Sequence, residues 1–134
     1  MPRRDFVALG ASALAFGGCA GAAYVVPRSA PGRLSISVGD VGADGVLMQT
    51  ADMARPIYVR RLTSGELVAV LASCTHQGCQ PEPASDRLIC PCHGSEFSFD
   101  GAVLQGPAER ALVRYAVTEE SGDVVVWLQG RGAP

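Results

Sequence analysis

Two short segments hold both histidines and all but one of the cysteines of this chain, the residue types best suited to bind a soft metal or a metal-sulfur core. The first reads C-T-H-Q-G-C, from Cys74 to Cys79, and the second reads C-P-C-H-G-S, from Cys90 to Ser95. Four of the five cysteines and both histidines fall here, so the pattern asks for one shared site. In C-x-H, Cys74 and His76 point to the same side of an extended backbone only two residues apart, which is crowded for tetrahedral chelation of a single ion. Two metal atoms relieve that crowding. Two plainer readings compete. A zinc site of two cysteines and two histidines would use C-x2-4-C with H-x3-5-H spacing; here each segment mixes both residue types and leaves a cysteine over. Two structural disulfides would account for the cysteines and leave both histidines unexplained.

On these residues the chain resembles the Rieske [2Fe-2S] proteins, in the disulfide-containing subtype found with cytochrome bc complexes and related respiratory oxidases. The likeness runs from Leu62 to Arg114. It implies that Cys74 and Cys90 bind one iron as thiolates while His76 and His93 bind the other through imidazole nitrogen. Two neutral ligands in place of two thiolates leave less negative charge on the cluster and raise its potential to about -150 to +300 mV. The resemblance also implies a Cys79–Cys92 disulfide clamping the loops, a bond that persists in exported proteins. Gly78 and Gly94 permit the backbone angles that tight loops require, and Pro91 stiffens the second loop.

Around the ligands, the resemblance gives the Ser95 hydroxyl the role of donor to a bridging sulfide. Two residues on, high-potential relatives carry a tyrosine that donates to a ligand sulfur, and this chain has Phe97. A midpoint potential below theirs is expected, because hydrogen bonds to sulfur stabilise the extra electron. Gly106-Pro107-Ala108 resembles the start of the proline-rich loop that covers the cluster, with Glu109 where a second proline is common. A cover that is looser, or shaped for another partner, is expected. Gln77 replaces the leucine of quinol-oxidising relatives, and both departures weigh against docking at a quinol site.

The elements that must position these loops read as strands. Leu34 to Val38 alternates with period two; Ile57 to Arg60 and Leu67 to Leu71 flank a Thr63-Ser64-Gly65-Glu66 turn as a hairpin. Leu88-Ile89, Phe97 to Phe99 and Val103-Leu104 are short strands, and Ala111 to Val117 with Val124 to Leu128 form a closing hairpin. The expected fold is all-β: a small antiparallel barrel or sandwich over residues 34–130, with both loops following strand ends.

Residues 1–26 read as a twin-arginine export signal or membrane anchor. Arg3 and Arg4 precede a stretch that carries no charge from Phe6 to Val26, close to the ~20 residues that span a hydrocarbon core. Phe16-Gly17-Gly18-Cys19 resembles a lipobox, so Cys19 is a candidate for lipidation, and retention, lipidation and cleavage all stay open. Each outcome puts the domain on the periplasmic side of a bacterial membrane. Pro27 to Gly32 reads as a tether within residues 27–33. The net charge of -2 and the lack of a basic run exclude a nucleic-acid partner. At 134 residues there is no room for the separate catalytic domain of a Rieske oxygenase, so substrate chemistry is expected to belong to a partner. The expected partners are redox proteins: a cytochrome or quinol-oxidising complex, or the catalytic subunit of an exported molybdenum oxidase. A free-standing lipoprotein carrier is the third setting, if Cys19 is acylated.

Overall fold

A computed structural model describes residues 21–131. The strands are β1 (Ala23–Val25), β2 (Arg28–Ala30), β3 (Arg33–Ser37), β4 (Val46–Met48), β5 (Ile57–Arg61), β6 (Leu67–Leu71), β7 (Glu82–Pro83), β8 (Leu88–Ile89), β9 (Glu96–Phe97), β10 (Val103–Gln105), β11 (Arg114–Glu120) and β12 (Asp123–Arg131). Among the described residues, one turn of 3-10 helix at Val38–Asp40 is the sole helical element, and no helix is long and apolar enough to cross a membrane. The all-β expectation is borne out.

Eight strands make one sheet in the order β1-β4-β5-β6-β11-β12-β3-β2, and four make a second in the order β10-β9-β8-β7. Strands β1 and β2 lie at opposite edges of the large sheet yet are separated by only Val26 and Pro27. The sheet must therefore curl until its edges meet, which makes a barrel. Its interior is the cluster of Leu34, Ile36, Val46, Met48, Ile57, Val59, Ala69, Val124 and Val126. The alternate residues Leu47, Tyr58 and Val70 point outward and are buried under the small sheet with Leu88 and Phe97. Period-two alternation thus serves two cores, one on each face of β4, β5 and β6.

The expected hairpins are present: Ile57 pairs with Leu71 and Arg61 with Leu67, and Glu120 pairs with Asp123 across the closing turn. Three points differ from the sequence reading. The segment 27–33 contributes β2 and the start of β3, with Arg28 paired to Ser35, so it is held to the barrel at its centre. Ala23–Val25, at the end of the apolar stretch, is a strand that pairs with Val46–Met48 in parallel, an exception to an otherwise antiparallel sheet. Strands β4 and β7 lacked a sequence signal, being three and two residues long. The arginine pair Arg3 and Arg4, most of the apolar stretch and Cys19 lie outside the described residues.

Candidate metal centre

Loop 1, residues 74–79, follows β6, and loop 2, residues 90–95, joins β8 to β9. Both loops fold on one hydrogen-bond frame. In loop 1 the Cys74 amide donates to the Cys79 carbonyl and the Gly78 amide to the Cys74 carbonyl, each at 2.7 Å. In loop 2 the Cys90 amide donates to the Ser95 carbonyl at 2.8 Å and the Gly94 amide to the Cys90 carbonyl at 3.0 Å. Gly78 and Gly94 have φ of +76° and +79°, which accounts for glycine at both places.

The frame turns Cys74 and Cys90 inward. They are 4% and 2% exposed and pack into the core under the small sheet, while His76 and His93 are exposed with ring centroids 5.0 Å apart, edge to face. Cys79 and Cys92 form a disulfide between the loops, with Cα atoms 6.4 Å apart. Cys74 and Cys90 remain free thiols. Burial pushes the Cys90 thiol up; the Cys92 amide pulls it back, the adjoining Cys74 thiol pushes it up further, and the His93 amide pulls it down. Two buried thiolates side by side need a neutralising cation, and a coordinating metal deprotonates thiols outright.

The donor set fits a two-metal core better than one ion. Among the described residues, the three ligand atoms that gather within 4.8 Å of one another are the sulfurs of Cys79, Cys90 and Cys92, and two of these are spent on the disulfide. Cys74, His76, Cys90 and His93 do not converge that tightly, as four ligands 2.0–2.3 Å from one tetrahedral zinc would.

The third loop, from Gly106 to Arg110, is tied to both loop 1 and loop 2. Thr75 Oγ1 donates to the Arg110 carbonyl at 2.5 Å, Arg110 Nη2 returns a contact to the Thr75 carbonyl at 3.4 Å, and the Ala108 amide donates to Ser95 Oγ at 3.0 Å. Side-chain bonds thus fasten the cover to loops 1 and 2. Ser95 is fully buried, and Phe97 is fully buried among the two free cysteines and Tyr58. Beside His76 lies an open hollow of ≈ 520 Å³ lined by Thr75, Pro107, Glu109 and Arg110, while neither histidine lines the ≈ 600 Å³ hollow at the barrel mouth. Arg55 and Gln105, which bond to the loop glycines, carried no sequence signal because only the fold brings them near.

The family profile of the Rieske [2Fe-2S] domain matches residues 35–116, more than half of the chain. The chain belongs to the Rieske [2Fe-2S] family. It is 44% identical over 64 residues to the cytochrome b6-f complex iron-sulfur subunit of Chlorobaculum tepidum, covering 46% of this chain and 35% of that one. A carotenoid phi-ring synthase of the same organism is 34% identical over 94 residues, 69% of this chain and 14% of that one. The chain thus spans about a third or less of these curated relatives. The plasma membrane Rieske protein of Synechocystis PCC 6803 superimposes with a TM-score of 0.58 at 36% identity, over 67% of this chain and 93% of that one. The ferredoxin and oxygenase complex of carbazole 1,9a-dioxygenase, with a TM-score of 0.61 at 21% identity, shares the fold. Family, relatives and donor set agree on a Rieske-type [2Fe-2S] cluster as the cofactor.

Proposed function

We propose that this Rieske protein transfers single electrons through a [2Fe-2S] cluster held by Cys74 and Cys90 on one iron and by His76 and His93 on the other. When bound, the cluster supplies a one-electron acceptor at a potential raised by its two imidazole ligands. One observation carries the reading: two free thiols are buried together while two histidines stand exposed beside each other above them. The buried pair keeps water from the sulfur side. The exposed pair offers an edge where a partner can approach, and the hollow beside His76 gives that partner a concave surface.

The setting we favour is a membrane-associated subunit outside the cytoplasm, reached by twin-arginine export and held by residues 1–26, with a quinol-oxidising complex and cytochrome as partners. The cytochrome b6-f iron-sulfur subunits among its relatives support this setting. Exposed Gln77, next to His76, and the hydroxyl-free Phe97 favour a second reading, the small subunit of a periplasmic molybdenum oxidase. Substituting His93→Ala tests the ligand set. The reduced-state paramagnetic resonance signal should vanish while the barrel stays folded by circular dichroism; an unaltered signal would refute the assignment.

A further inference from the structure

The two ligand loops share a frame and differ in what caps it. In each, the carbonyl of the positive-φ glycine takes a side-chain donor from elsewhere in the fold. Gln105 Nε2, in β10, donates to the Gly94 carbonyl at 3.3 Å, and Arg55 Nε donates to the Gly78 carbonyl at 2.8 Å. The caps differ in two respects. Gln105 is neutral and belongs to the small sheet that carries loop 2; Arg55 is a cation and comes from the barrel, in the connection between β4 and β5.

The setting of Arg55 suits it to hold loop 1 in place. Its neighbour Pro56 is buried and its carbonyl accepts the Ala72 amide at 2.9 Å, two residues before Cys74. Backbone at Pro56 and side chain at Arg55 therefore grip the chain on both sides of the C-T-H sequence. Arg55 Nη1 also donates to the Ala54 carbonyl at 3.0 Å, which fixes the plane of the guanidinium. No ion pair among the described residues includes Arg55, and its hydrogen bonds go to the carbonyl oxygens of Gly78 and Ala54.

We propose that Arg55 is a positioning residue for the iron-sulfur site, which pins the Gly78 carbonyl and so fixes loop 1, and whose positive charge favours the reduced cluster. The proposal rests on the ligand assignment above. A cation near a centre that gains an electron stabilises the reduced state by Coulomb attraction, and at an exposed side chain salt screens that attraction. Lysine would keep both the charge and a donor able to reach the Gly78 carbonyl, while glutamine would keep only a donor.

Redox titrations of the full cluster-loaded chain at low and high ionic strength test this, with Arg55→Gln and Arg55→Lys beside the unaltered protein. Arg55→Gln retains a donor and loses the charge. Its electron affinity at low salt should fall about threefold, near 30 mV at 59 mV per tenfold for one electron. The gap should narrow at high salt, and Arg55→Lys should recover most of it. Arg55→Gln titrating with the unaltered protein at low salt, or Arg55→Lys falling as far as Arg55→Gln, would overturn the proposal. Absence of a reduced-state signal in the unaltered protein would instead strike the ligand assignment, so the two failures are distinguishable.

Discussion

Ser95 accepts the Ala108 amide with its hydroxyl oxygen, and this leaves the hydroxyl proton to donate to something else. Phe97 lies in the same core with no such proton to give. These two residues should therefore move the midpoint potential in opposite directions. Ser95→Ala removes a donor and lowers it, while Phe97→Tyr adds one beside the buried sulfurs and raises it. A hydrogen bond to a charged acceptor contributes roughly 1.5–3 kcal/mol, so each shift should reach several tens of millivolts, measurable by titration with spectroscopic detection. Equal potentials in both variants and the parent would remove hydrogen bonding to sulfur from the account. The proposed ligand residues stood out because cysteine and histidine are rare here and spaced tightly. Their supports did not: Arg55 lies 23 residues from Gly78, and nothing in its neighbours marks it.

Strands with clear alternation were legible at the element scale, and those held by tertiary pairing alone were not. Leu34 to Ser37 announces itself because Leu34 and Ile36 face one core. Arg28–Ala30 is exposed throughout and is a strand only because β3 offers it a ladder; Ala23–Val25 likewise depends on β4. The latter is tied to the residue that follows loop 1 as well, since Gln80 Nε2 donates to the Tyr24 hydroxyl at 2.7 Å. The turn into β4 shows how local geometry secures the second core. Gly45 has φ of +79°, and a Cβ there would lie 2.6 Å from the Tyr58 ring, whose hydroxyl donates to the Asp44 carbonyl at 2.8 Å. Gly45→Ala thus combines backbone strain with overpacking against a fully buried side chain, and should cost roughly 2–4 kcal/mol. Thermal unfolding reads the outcome: the midpoint should drop by about 8 °C or more, and a loss within 2 °C would mean that Tyr58 yields easily.

In the whole molecule, labour is divided between two cores that share one set of strands. The barrel interior contains no residue of the site, whereas the core beneath the small sheet contains both free cysteines. The fold class followed from composition and turn spacing. The closure of the sheet did not, because it depends on two edge strands that have no pattern of their own. The disulfide, the third loop and Arg55 join loop 1, loop 2 and the barrel into one frame around the buried thiols. That frame has a purpose only if something binds between the thiols and the imidazoles. Iron and acid-labile sulfide, assayed on anaerobically prepared full-length protein, test this most directly. The account predicts two of each per chain; zinc in place of iron, or iron without labile sulfide, would contradict it.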